Sequence, residues 1–99
     1  MKLKLSKTVS YNNVDYKELE FDFEGLTGFD LMKATERLKV KGMRNMVPYL
    51  SMEYHVAVAA AAAKVDTDVI GRLAAPDFVQ ATMAAQNFLL GTSLGETQM

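Results

Sequence analysis

Leu19-Glu20-Phe21-Asp22-Phe23-Glu24-Gly25-Leu26-Thr27-Gly28-Phe29-Asp30-Leu31 is the stretch in which the spacing of the apolar residues changes. Through Phe23 they alternate with carboxylates, the period-two signature of a strand buried on one face. After Gly28, Leu31, Ala34, Thr35 and Leu38 recur at threes and fours, as on one side of a helix. Thr27 is a residue type that caps such a helix, and Asp30, three residues on, takes the acid's place in a capping box. A chain that turns from strands to helices here, and does not turn back, reads as α+β.

Upstream, Leu3, Leu5 and Val9 alternate with Lys2, Lys4, Ser6 and Thr8, which predicts a first strand. Asn12-Asn13 suits the turn between the two strands, because Asn tolerates the left-handed backbone. Val14 and Tyr16 fall on even positions, whereas Leu19, Phe21 and Phe23 fall on odd ones. A bulge near Tyr16 to Glu18 would bring both sets to one face. Lysines on the first strand and carboxylates on the second favour antiparallel pairing. A lone hairpin is marginal in water, so helices are expected to cover its apolar face.

Downstream, Gly42 is the expected stop of the first helix, and Met43 to Val47 reads as a connector. Pro48 suits the first turn of a second helix reaching about Lys64. The later half of that helix, Val56 to Ala63, is apolar all round, as in an element buried on every side by its own chain or by a partner. Asp66 or Thr67 caps a short third helix carrying Val69, Ile70 and Leu73. Ala75-Pro76-Asp77 opens the fourth, whose stripe is Phe78, Ala81, Thr82, Ala85, Phe88 and Leu89, with Gly91 as its expected stop. The expected architecture is an N-terminal antiparallel β-hairpin packed on a bundle of about four helices. It forms a single domain over 1–91, with a flexible tail over 92–99.

Composition narrows the function. Eleven Lys and Arg against 12 Asp and Glu give a net charge of −1, which removes the long-range attraction a nucleic-acid binder needs. A helix-turn-helix reading of the last two helices fails because residues 76–90 contain no Lys or Arg. With no Cys, disulfides, thiol nucleophiles and cysteine-ligated metals are excluded. The longest apolar run falls well short of the ~20 residues that span a bilayer. Met1 to Leu5 alternates charge with leucine, unlike a signal peptide. A protein of the cytoplasm is expected.

His55 is the only histidine, and Glu53, two positions away, points to another side of the helix, which is wrong for joint metal ligation. The carboxylates of the second strand read as a solvated face. The six glycines form no phosphate-cradling pattern, and no serine sits in a nucleophile elbow. No catalytic residue, cofactor or metal is expected, and the chain is not expected to be an enzyme. Seven Met in 99 residues is the conspicuous feature, since thioether side chains fill small cores and also line adaptable binding surfaces.

The order of segments resembles the small tail assembly chaperones of tailed bacteriophages and prophages, in particular the Mu-like tail assembly protein group. The matching stretches are Tyr11 to Tyr16 leading into Leu19 to Phe23, Glu24 to Leu31, and Leu50 to Tyr54 running into the Ala-rich helix. Pro76 to Phe78, Thr82-Met83 and Gln86 to Gly91 complete them. Glu24-Gly25-Leu26-Thr27-Gly28 and Gln86-Asn87-Phe88-Leu89 are the sharpest. Phe29 departs from the pattern, which has a polar or basic residue before the Asp. The resemblance runs from the first strand to Gly91.

This resemblance implies a non-enzymatic role in virion morphogenesis: binding the long tape measure protein, keeping it soluble, and helping to recruit tail tube protein. Such proteins are not retained in the virion, and in many phages a longer form is made by frameshifting, one route by which the tail tube protein would be contacted. A homo-oligomer fits the same role. The expected partner-binding surface is a groove on the second and last helices around Met52, Val56, Ala59, Met83 and Phe88, with Ala59 facing solvent. The rival expectations are a structural subunit kept in the tail and a small interaction subunit of an unrelated complex.

Overall fold

A computed structural model describes residues 1–40 and 52–98. Two strands, β1 (Lys2–Tyr11) and β2 (Val14–Glu20), form an antiparallel hairpin. Four helices follow among the described residues: α1 (Gly28–Val40), α2 (Met52–Ala63), α3 (Thr67–Gly71) and α4 (Ala75–Gln98). The chain is α+β, with hairpin first and helices after. The expected stop at Gly42, the connector at Met43 to Val47 and the helix start at Pro48 lie outside the described residues.

The hairpin turns at Asn12 and Asn13, whose φ values of 51° and 65° give the two left-handed residues of a tight turn. Tyr11 pairs with Val14, Val9 with Tyr16, Lys4 with Glu18 and Leu3 with Leu19. The irregularity therefore lies at the expected level, but its surplus residues belong to the other strand. Leu5, Ser6, Lys7 and Thr8 stand opposite Lys17 alone. This loosened stretch of β1 keeps Val9 and Leu3 buried beside half-buried Tyr16 and buried Leu19.

Local chemistry fixes the helix starts. Asp30 Oδ2 accepts the Thr27 backbone N–H at 2.9 Å and its hydroxyl at 3.2 Å, which closes the acid arm of the capping box. Asp66, extended at φ −70° and ψ 151°, caps α3 by accepting the Asp68 N–H at 2.9 Å. The end of α2 is a Schellman turn. Val65 N–H donates to the Ala60 carbonyl at 3.0 Å, and Lys64 N–H donates to that of Ala61 at 3.3 Å. Lys64, at φ 58°, occupies the left-handed position that glycine usually fills.

α2 is the central element, touching α1, α3, α4 and β2. Its small side chains permit this: Ala57, Val58, Ala59, Ala60 and Ala62 are buried among Ala34, Val69, Ile70, Ala81 and Ala85. Leu3, Val9, Leu19 and Phe21 of the hairpin segment join the same core. Thr82, buried in mid-helix, is satisfied by donating its hydroxyl to the Phe78 and Val79 carbonyls at 3.0 and 3.2 Å.

Two sequence expectations are corrected. α4 opens at Ala75 as expected but runs on to Gln98, so Gly91, the expected stop, lies within the helix. Glycine costs a helix interior only about 1 kcal/mol and ends it only where the backbone turns left-handed. Ala59, expected to face solvent, is 0% exposed. An alanine-only segment has no polar side to turn outward, and the neighbouring helices cover it.

Candidate partner-binding surface

The five residues expected to form one groove separate in the structure. Met52 on α2 and Met83 on α4 are 59% and 53% exposed. Val56 is half-buried against the core, and Ala59 lies inside it. Phe88 is half-buried and stacks on Phe23, with ring centroids 5.3 Å apart. It lies nine residues beyond Val79 on α4, two and a half turns at ~3.6 residues per turn, and so points the opposite way. The structure thus leaves Met52 and Met83 open and assigns Val56, Ala59 and Phe88 wholly or partly to the interior.

Beside Met83 stand two residues that the sequence reading passed over. Val79 and Leu90 are 49% and 43% exposed, and with Met83 they fall four and then seven residues apart, on one side of α4. The same helix buries Ala81, Thr82, Ala85 and Leu89 elsewhere around its circumference. The outer side of α4 thus carries three exposed apolar side chains, with the polar Gln86 and Asn87 between Met83 and Leu90. The spacing of Val79, Met83 and Leu90 was available in the sequence, but the stronger inward stripe took precedence. On α1, Phe29 and Met32 form a second exposed apolar pair.

Several polar groups serve the fold. Asp77 is only 3% exposed, and its Oδ2 accepts both the Ser6 backbone N–H and the Ser6 hydroxyl. Buried carboxylates require such partners, and the displaced backbone of β1 supplies them. The Tyr11 hydroxyl donates to Asp68 Oδ2 at 3.2 Å, and the Arg72 guanidinium lies 5.3 Å from its ring centre. Desolvation first, then the carboxylates of Asp66 and Asp68, raise the Tyr11 phenol above its ordinary pKa. His55 is buried in α2. Among the described residues no group of three or more His, Asp or Glu side chains is placed to hold a metal ion. A depression of about 150 Å³ between α1 and α2 is floored by alanines, with Asp30 and Lys33 at its margin.

Among the described residues no helix is long and apolar enough to cross a membrane. No protein-family model matches the chain, and neither a curated protein nor a solved structure matches it.

Proposed function

We propose that this chain is a tail assembly chaperone of a phage or prophage. It acts in the host cytoplasm by covering apolar helical faces of the tape measure protein, keeping that protein soluble while tail tube subunits are recruited, and leaving before the virion is finished. The observation that carries the reading is the outward stripe of Val79, Met83 and Leu90 on α4. A helix that turns three apolar side chains to solvent suits helix-on-helix recognition of a partner that is itself apolar and helical. The sequence resemblance supplies the identity of that partner.

Energetics shape the proposal. Full burial of a large aliphatic side chain contributes about 1.5–3 kcal/mol, and these three are already roughly half covered. Together they offset only the lower part of the ~4–15 kcal/mol cost of association. One domain on one helix therefore binds weakly, and several copies side by side on a long partner gain by avidity. The test is co-expression with the tape measure protein encoded in the same genome. The account expects that protein to become soluble and to co-purify with this chain. Finding this chain in purified virions would instead favour a retained tail subunit.

A further inference from the structure

An open depression of about 410 Å³ lies where the segment after β2 meets α4. Its wall is aromatic. Phe23 stacks on Phe21 with ring centres 5.7 Å apart and planes 7° from parallel, and on Phe88 at 5.3 Å and 24°. Phe21 is buried and forms the floor, whereas Phe23 and Phe88 remain partly exposed. Asp22 and Glu24 alternate with these rings in sequence and line the same depression, together with Met1.

The Asp22 carboxylate is held in place. Its backbone N–H donates to the Ala62 carbonyl at 3.0 Å, and its Oδ1 accepts the Gly25 N–H at 3.1 Å. A Cβ on residue 25 would collide with that carboxylate, so glycine leaves room for it to settle over the turn. On the hairpin, Glu18 and Glu20 stand opposite Lys4 and Lys2, and Glu20 also meets the Met1 ammonium at 3.2 Å. Among the described residues neither Asp22 nor Glu24 has such a cationic neighbour within salt-bridge distance. Two exposed carboxylates thus border an aromatic wall, and the cation among the lining residues, the Met1 ammonium, is engaged by Glu20 and the Phe21 carbonyl.

We infer that this depression docks a polypeptide segment carrying a bulky apolar side chain beside a Lys or Arg. The apolar side chain packs on Phe23 and Phe88, and the cation lies between Asp22 and Glu24. The volume falls at the small end of the ~300–1,000 Å³ typical of ligand pockets, which suits one or two side chains. The carboxylates supply the selection, drawing in a cation and repelling phosphate or acidic segments. The site lies across α4 from Val79 and Met83, so it stands or falls independently of the tape measure reading.

The test is an amide chemical-shift titration of the full isotope-labelled chain with two capped peptides, Ala-Lys-Leu-Lys-Ala and Ala-Glu-Leu-Glu-Ala. The lysine peptide is expected to shift the amides of residues 22–25 and Phe88, and the glutamate peptide to leave them in place. The double variant Asp22→Asn/Glu24→Gln keeps the fold, because Asn still accepts the Gly25 N–H. It should weaken the lysine peptide by about fivefold or more, as loss of two rim charges implies. No shift with the lysine peptide, equal shifts with both peptides, shifts confined to another face, or undiminished binding by the double variant would overturn the inference.

Discussion

Asp77 Oδ2 joins the first turn of α4 to the middle of β1, accepting the Ser6 N–H at 2.8 Å and the Ser6 hydroxyl at 2.9 Å across 71 residues of sequence. The surplus of β1 residues opposite Lys17 and the burial of Asp77 are two sides of one arrangement. A strand out of register with its partner has a backbone donor to spare, and a buried carboxylate needs one.

Removal of either partner tests that arrangement. Asp77→Ala leaves the Ser6 N–H without its acceptor and is expected to cost about 2–3 kcal/mol, whereas Ser6→Ala loses one bond of two and costs about 1 kcal/mol. Denaturant unfolding of both single variants and the double variant should show strong non-additivity. Additive effects would mean that the two residues act separately.

Lys64 sits at φ 58° at the end of α2 with its N–H donated to Ala61. A side chain in this conformation costs about 1–2 kcal/mol, partly offset because glycine is looser when unfolded. Lys64→Gly should therefore stabilise the chain by roughly 0.5–1 kcal/mol in thermal or denaturant unfolding. Destabilisation would show that the lysine side chain makes a contribution beyond the turn.

The Tyr11 phenol titrates above its ordinary value of about 10. The folded state holds this proton more tightly than the unfolded state does. Its contribution to stability is thus complete below the unfolded pKa and is lost as pH rises through the higher folded pKa. Ultraviolet difference titration should place the Tyr11 transition late. Asp68→Asn should bring it part of the way down, since the carboxylate acceptor goes and the desolvation stays.

Local signals carried much of this structure in plain view. Asn12-Asn13, Thr27 with Asp30, and Asp66 each act on backbone within a few residues, and their roles follow from residue type and spacing. Longer-range choices were not legible. Asp77 reads in sequence as an acid placed for the helix dipole, because its partner is 71 residues away. Parity located the hairpin irregularity but not the strand carrying the surplus, since one face is restored by either. Ala59 was misplaced because a run of alanines has no moment to show which side is inward. Val79 and Leu90 were missed for the opposite reason: α4 has apolar residues around much of its circumference, and only packing tells which of them the core takes.

Ala59→Glu illustrates the consequence. Placing a carboxylate at a fully buried position in the central helix should cost several kcal/mol and unfold much of the chain, visible as lost helical circular dichroism. Met83→Glu, at a half-exposed site, should change stability by no more than about 0.5 kcal/mol.

That contrast sets up the most direct measurement: co-purification of the tape measure protein with the Val79→Glu/Met83→Glu double variant, beside the unaltered chain. The account predicts that the variant folds normally, fails to keep the tape measure protein soluble, and loses it on the column. A normally folded variant that still solubilises and retains the tape measure protein would contradict the assignment of the outer side of α4 as the chaperone surface.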